Sequence, residues 1–230
     1  MRLKDFFVPG PHDDGDPVTG HYYETASPDP ARAQVWGYTD RLSYAPGDRL
    51  ALHAMSSAPS ARLTIRRDGL VPVTVHDGQI ALGFAPTPPD CSVTGCGWPE
   101  RFALILPADW VSGVYTITLT IPGHQSQHMF VLRAAQPAAR ICMVLATGTW
   151  CAYNDWGGSN HYQGLTGPEG GDFAPHVSIL RPWARGFVGW PHDAPRIPHA
   201  SSLLTALSAY GLCPCQRRVE EICLVRLGGV

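Results

Sequence analysis

From Trp36 to Arg133 apolar and polar side chains alternate in short segments set apart by turn signals, a period of two that only β-strands convert into a buried and a wet face. The clearest segment follows Ser112-Gly113. There Tyr115, Ile117, Leu119 and Ile121 alternate with Thr116, Thr118 and Thr120, so β-branched and aromatic groups cover a core while hydroxyls meet water. The same spacing appears in Leu50, Leu52 and Ala54 after the turn Pro46-Gly47-Asp48, and in Leu63 and Ile65 between Arg62, Thr64 and Arg66. It returns in Val71, Val73 and Val75 and in Phe102, Leu104 and Leu106, and Met129 to Leu132 closes the set. Roughly five to seven short strands without a helical period between them predict an N-terminal antiparallel β-sandwich of immunoglobulin-like size over residues 33–135. Antibody-type Cys–Trp–Cys spacing is absent. Residues 1–32, with Pro9-Gly10-Pro11, the acidic run from His12 to Pro17 and Pro28-Asp29-Pro30, read as a lead-in loop.

The pattern breaks at Ala134-Ala135-Gln136-Pro137-Ala138-Ala139. Beyond it Ile141-Cys142-Met143-Val144-Leu145-Ala146 is apolar without alternation, which suits a strand buried on both faces of a mostly parallel sheet. Residues 138–230 therefore read as the start of an α/β catalytic domain. Gly164 to His199 is loop-like, only Ser201 to Leu212 suits a short helix, and Cys213 to Val230 fits no period. The expectation is an incomplete α/β domain, truncated and ending in an atypical tail.

Composition excludes several classes. Gly 24 plus Pro 22 make 46 of 230 residues, below the roughly 25–30% at which low-complexity disorder is expected. No run approaches the ~20 apolar residues of a membrane span. A net charge of −2, with Arg66-Arg67 and Arg217-Arg218 as the adjacent basic pairs, gives no footprint for nucleic acid. Seven cysteines, an odd count, and the charged opening Met1-Arg2-Leu3-Lys4-Asp5 argue against a secreted framework, so the expected location is cytoplasmic.

Chemistry concentrates in Thr147 to Tyr162, directly after the apolar strand, and ligand sites in α/β sheets lie outside the carboxyl ends of strands. Both asparagines of the chain, Asn154 and Asn160, fall here with Trp150, Trp156, Tyr153, Tyr162, His161 and Gly157-Gly158. A packed aromatic loop with turn-forming asparagines accounts for the same residues equally well. Ser159 lacks the Gly-x-Ser-x-Gly elbow that exposes a nucleophile, so a loop serine is the better reading. Asn154 has an amide able to donate to a developing oxyanion, and His161 is a candidate acid or base.

This stretch resembles the opening of the catalytic domain in the large (β) subunit of N,N-dimethylformamidase and its bacterial relatives. Thr147 or Thr149, Trp150, Ala152, Tyr153, Asn154, Trp156, Gly157, Gly158 and Tyr162 fit a Thr-x-Trp-x-Ala-Tyr-Asn-x-Trp-Gly-Gly-x-Ser-x-Tyr-like pattern, with Ser159 displaced by one position. Three earlier segments resemble the same family: Gly37 to Ser43, Gly95-Cys96-Gly97-Trp98-Pro99, and Trp110 to Tyr115. The resemblance covers roughly residues 33 to 199. It implies hydrolysis of a small amide by a mononuclear iron with tyrosine and glutamate oxygen ligands. Phenolate and carboxylate are hard donors suited to ferric iron (Fe3+), which polarises a carbonyl and acidifies its water. On the resemblance Tyr153 is the first metal ligand and Tyr162 the second, with Trp150 and Trp156 lining the substrate pocket. Glu169 and Asp155 are the nearest carboxylates in sequence. The resemblance also implies a multi-subunit assembly, either with a small partner subunit or as a homo-oligomer.

Other groupings read as structural. Cys91-x4-Cys96, Cys213-x-Cys215 and Cys223 have the wrong spacing for a zinc ribbon. Cys151 has no basic neighbour in sequence and reads as packing. His176, His192 and His199 lie among prolines as loop residues, and Trp183 and Trp190 either line a pocket or cover core. The whole reads as a dimethylformamidase-like amidohydrolase fragment, inactive if its carboxylate ligand lies elsewhere; the alternative is a non-enzymatic β-sandwich interaction protein carrying a degenerate catalytic remnant.

Overall fold

In a computed structural model, which describes residues 10–11, 17–18, 24–69, 72–137, 141–145, 147–162, 173–184, 188 and 222–225, the alternating segments are strands and the chain is mostly β. In order they are β1 (Gly10–Pro11), β2 (Pro17–Val18), β3 (Val35–Thr39), β4 (Ser43–Tyr44), β5 (Arg49–Ser56), β6 (Ser60–Arg67) and β7 (Val73–Ala81). The short helix α1 (Cys91–Thr94) precedes β8 (Glu100–Ile105), β9 (Gly113–Ile121) and β10 (His124–Leu132). Then come β11 (Ile141–Val144), helix α2 (Thr147–Tyr153) and β12 (Ile222–Val225).

Two sheets dominate, one of five strands in the order β4-β10-β9-β6-β7 and one of three in the order β3-β5-β8. Every pairing in them is antiparallel except β4 with β10, which is parallel. This corrects the all-antiparallel expectation. Only residues 40–42 separate β3 in one sheet from β4 in the other, so the chain changes sheets without reversing and arrives alongside β10. Side chains from both sheets share one buried cluster: Val35, Leu50, Leu52 and Ala54 from the smaller, Leu63, Ile65, Tyr115, Ile117, Leu119, Phe130 and Leu132 from the larger. The Tyr115–Ile121 alternation thus faces inward as the sequence requires, with Thr116, Thr118 and Thr120 less buried.

Val71, Val73 and Val75 depart from the reading, since Val73 is 51% exposed and Val71 lies outside the described residues. The strand there runs on to Ala81 and is the outer member of its sheet; Val73 at its start is exposed, whereas Val75 is partly buried and packs against the first cluster.

A second cluster positions the candidate site. Alternation along β3 and β10 places Trp36, Tyr38, Met129 and Val131 on the faces opposite the first cluster. They pack with Cys91, Cys96 and Trp98 from the segment around α1, and with Leu145, Cys151, Trp156, Trp183, Ala184 and Val188 from beyond the sequence break at 134–139. One apolar core therefore joins both sides of that break.

Two segments read as irregular have regular structure: β1 pairs with β2 inside the lead-in, and β12, within the tail that fitted no period, pairs in parallel with β11. Residues 147–153, read as loop, are helical. The helix proposed for Ser201 to Leu212 lies outside the described residues.

Candidate functional site

Helix α2 sets which side chains of the motif face inward. Cys151 is buried, and Tyr153, two residues on and therefore about 200° around the axis, lies at the margin of the same cluster and is only partly buried. After the helix the chain reverses through Gly157 and Gly158, whose φ values of +90° and +80° suit glycine. A Cβ on Gly157 would stand 2.7 Å from the Cys91 Sγ, so this turn also requires the close approach of backbone to thiol. The Gly157 N–H donates to the Glu24 carbonyl at 2.7 Å, and the His161 N–H returns to Ala152 at 3.0 Å.

The inward side is a knot of polar groups. Asn154, Asp155, Ser159 and Asn160 are all at most 3% exposed and Trp156 is fully buried. The Asn154 amide donates through Nδ2 to the Pro182 carbonyl at 2.9 Å and accepts through Oδ1 from the N–H groups of Trp156 and Ala184 at 3.2 and 2.9 Å. Asn160 donates to Asp155 Oδ1 and accepts from the Tyr162 N–H. Trp156 stands edge-on to Trp36 and Trp98, both with ring centroids 5.6 Å away.

Arg181 holds this knot together. Its guanidinium, 1% exposed, donates to the carbonyls of Asn154 at 2.9 Å, Ser159 at 2.9 Å, Trp156, and Ser178 at 3.2 Å. Burial draws its pKa down, and Cys91, Cys151 and Asp155 offset this through their charge when ionised. Nothing in the sequence singled out Arg181, because it sits among glycine and proline without period. Cys151, expected to lack a basic neighbour, has this one in space; burial nonetheless dominates and pushes its thiol up to about 11.

The outward side gathers Tyr153, His161 and Tyr162. The two phenol rings lie with centroids 4.6 Å apart at 43°. His161 meets Tyr162 edge-on at 5.1 Å, and Phe173 packs on both at 5.9 and 6.1 Å. Tyr162 is 40% exposed. Burial raises the Tyr153 pKa, and its hydrogen bond with Tyr162 raises it further, so in this setting it remains a phenol at neutral pH. A phenolate would need a cation beside it.

The donor set fits the tyrosine half of an iron site, since two hard oxygen donors lie side by side. Asp155 does not supply the carboxylate, because its side chain is turned inward onto Asn160. Glu169 lies outside the described residues. No group of three or more His, Cys, Asp and Glu side chains placed to hold a metal occurs among the described residues.

Of the residues singled out by sequence, Tyr153, Tyr162 and His161 come together, whereas Asn154 and Trp156 face the core and Trp150 packs half-buried against the second cluster. Trp183 is also core, stacked on His128 with centroids 6.2 Å apart. Cys91 and Cys96 are buried free thiols, and His176 is exposed. Trp190, His192, His199, Cys213 and Cys215 lie outside the described residues. No helix among the described residues is long and apolar enough to cross a membrane.

Residues 70–206 match the family described as N,N-dimethylformamidase beta subunit-like, C-terminal. Among solved structures, a chimeric titin Z1Z2 functionalised with a KLER exogenous peptide from decorin is 18% identical, with a TM-score of 0.28. That likeness covers 49% of this chain and 57% of the titin chain. No curated protein matches.

Proposed function

Because the chain belongs to the N,N-dimethylformamidase beta subunit-like family, whose match spans more than half its length, we propose that it serves hydrolysis of the C–N bond of a small amide. The observation that carries this reading is the grouping of Tyr153, Tyr162 and His161 on a motif whose Asn154, Asp155, Ser159 and Asn160 side chains are committed to the core. Tyr153 and Tyr162 would hold a ferric ion, with a carboxylate from outside the described residues. Such an ion polarises an amide carbonyl and acidifies its water. The chain's own part is to keep both phenols next to one another and to present the His161 imidazole beside them, where it can take up or release a proton. Asn154, with both ends of its amide engaged by the backbone of Trp156, Pro182 and Ala184, holds the turn to the 182–184 segment rather than touching substrate.

The two main sheets, sharing one core, are an accessory β-sandwich in this reading, and β11, α2 and β12 are the start of an α/β unit. The family's description as beta subunit-like supports association with a companion subunit.

Metal analysis tests the proposal. The purified chain, loaded with ferric iron, should bind it in stoichiometric amount with a visible tyrosinate charge-transfer band; Tyr153→Phe should weaken and shift that band, Tyr153→Phe with Tyr162→Phe should abolish it, and Trp150→Phe should leave it. Absence of both band and amide turnover would leave an interaction module as the function.

A further inference from the structure

Tyr153 and Tyr162 lie on opposite sides of the Gly157-Gly158 turn, yet their rings are in contact. Their centroids are 4.6 Å apart at 43°, the short end of the roughly 4.5–7 Å over which aromatic rings pack. The backbone imposes this approach. The His161 N–H donates to the Ala152 carbonyl at 3.0 Å, which brings residues 152 and 161 together and with them their successors, 153 and 162. The Tyr162 N–H donates to Oδ1 of the buried Asn160 at 2.8 Å. Phe173 packs against Tyr162 at 6.1 Å, and its segment is tied down by the Ala174 N–H donating to the His161 carbonyl at 2.8 Å.

Among the described residues no other two tyrosine rings touch. Tyr38, Tyr44 and Tyr115 are at most 2% exposed, and Tyr44 and Tyr115 each meet Phe130 rather than one another. Tyr162 is 40% exposed, so a small oxidant in solution reaches its ring without any opening of the fold. A phenol that loses one electron and one proton becomes a radical, and two such radicals in contact join through the ring carbons ortho to oxygen. Holding both rings in place removes the encounter that otherwise limits coupling.

We propose that Tyr153 and Tyr162 are a modification site, at which a one-electron oxidant of phenols couples the two rings into a dityrosine across the motif turn. One oxidising equivalent takes an electron from Tyr162, whose phenolic proton leaves to water, and a second takes the same from Tyr153. A carbon–carbon bond then forms between two ortho positions. The two ortho hydrogens are lost as protons and two protons return to the oxygens, so both phenols are restored. With peroxydisulfate as terminal oxidant, two tyrosines and one peroxydisulfate give one dityrosine, two sulfates and two protons. The link ties the end of α2 to the segment beyond the glycine reversal and fixes the two phenol oxygens relative to each other.

The test illuminates the folded, metal-free full-length chain with tris(bipyridyl)ruthenium and peroxydisulfate. The chain is then unfolded and cut by trypsin together with a protease that cleaves before aspartate. Those cuts put Tyr153 on residues 141–154 and Tyr162 on residues 155–171, each as the single tyrosine of its peptide. The two peptides should emerge joined, two hydrogens lighter than their sum, with dityrosine fluorescence and a yield that dilution does not change. Tyr153→Phe and Tyr162→Phe should each lose the joined species, and urea should reduce it to a minor product by separating the rings. A yield that falls on dilution, an equal yield in urea, Tyr162 consumed by hydroxylation or by bonding to His161 instead, or both tyrosines left intact would overturn the proposal. The map of the unsubstituted chain decides the matter even if a variant fails to fold. Neither iron nor amide turnover enters this readout, so its failure leaves the amidohydrolase reading untouched, and a missing iron band leaves the link untouched.

Discussion

Substituting Gly157 by alanine separates two costs that the motif turn combines. At φ +90° any Cβ meets the left-handed penalty of about 1–2 kcal/mol, and here it also stands 2.7 Å from the Cys91 Sγ. Relieving that overlap shifts either the thiol or the backbone, and overpacking of this kind costs about 1–3 kcal/mol. Gly157→Ala should therefore lose about 2–5 kcal/mol, a large part of the roughly 5–15 kcal/mol that holds a domain together. Gly158 is the internal control, since its φ is +80° but nothing lies within 4 Å of its Cβ. Gly158→Ala should cost the conformational term alone, about 1–2 kcal/mol.

The assay is urea unfolding followed by tryptophan fluorescence, which reports on the contacts of Trp156 with Trp36 and Trp98. Removing the obstacle completes the cycle: with Cys91→Ala, a Cβ at residue 157 next meets the Ser92 backbone N at 3.6 Å and Cβ at 3.8 Å, ordinary contact distances. The double variant should recover about 1–3 kcal/mol relative to additivity. Equal losses for the two glycine substitutions, or strict additivity with Cys91→Ala, would refute the argument that this thiol is why the motif has glycine there.

Arg181→Met should leave the carbonyls of Asn154, Trp156 and Ser159 buried without their donor, at about 1–3 kcal/mol each, so unfolding at a small fraction of the native denaturant midpoint is expected and a loss under about 1 kcal/mol contradicts the clamp. Complete burial lowers the His128 pKa to about 3, and its Nε2 accepts from the Thr39 N–H. Stability tied to the neutral imidazole is therefore full above pH ~6.5 and falls toward pH 3 by up to about 1.4 kcal/mol per pH unit; the His128→Gln chain should lack this slope in pH-dependent unfolding. Burial raises Tyr38 and Tyr115 to about 12, so the unfolded chain releases these protons first and stability should decline as pH rises from 10 to 12, measurable by phenolate absorbance at 295 nm wavelength, roughly, during unfolding. In the same titration Tyr153 should ionise above the ordinary range without iron and well below it with iron, and identical curves would count against a metal at that phenol.

What the sequence disclosed follows from period. Tyr115 to Ile121 is read correctly because two-residue alternation maps onto two faces of β9 with no further information. β3 defeats the same logic. Val35, Trp36 and Tyr38 are all buried because a second core covers the face that would otherwise be wet, and only the tertiary arrangement reveals that cover. Helix α2 is not legible from sequence because Thr147 to Tyr153 contains a glycine and two threonines, weak helix formers that its packing through Cys151 overrides. β12 is legible only through β11, since four residues that pair in parallel carry no turn or period of their own.

The arrangement also explains why a dense motif overstates the size of its site. Tyr38, Cys96 and Trp98, from two of the earlier resembling segments, share the second core with Trp156, so three separated stretches are coupled through one indole. Any of them changed alone disturbs packing before chemistry. Within the motif, Asn154, Asp155, Trp156, Gly157, Ser159 and Asn160 are spent on the turn, its clamp by Arg181 and its approach to Cys91. Three titratable side chains then remain outside that knot, Tyr153, His161 and Tyr162, and the proposed chemistry reduces to them. A substitution in the inner set should thus lower stability and iron binding together, whereas Tyr153→Phe should lower iron binding at nearly unchanged stability. That split separates the residues that build the site from those that use it.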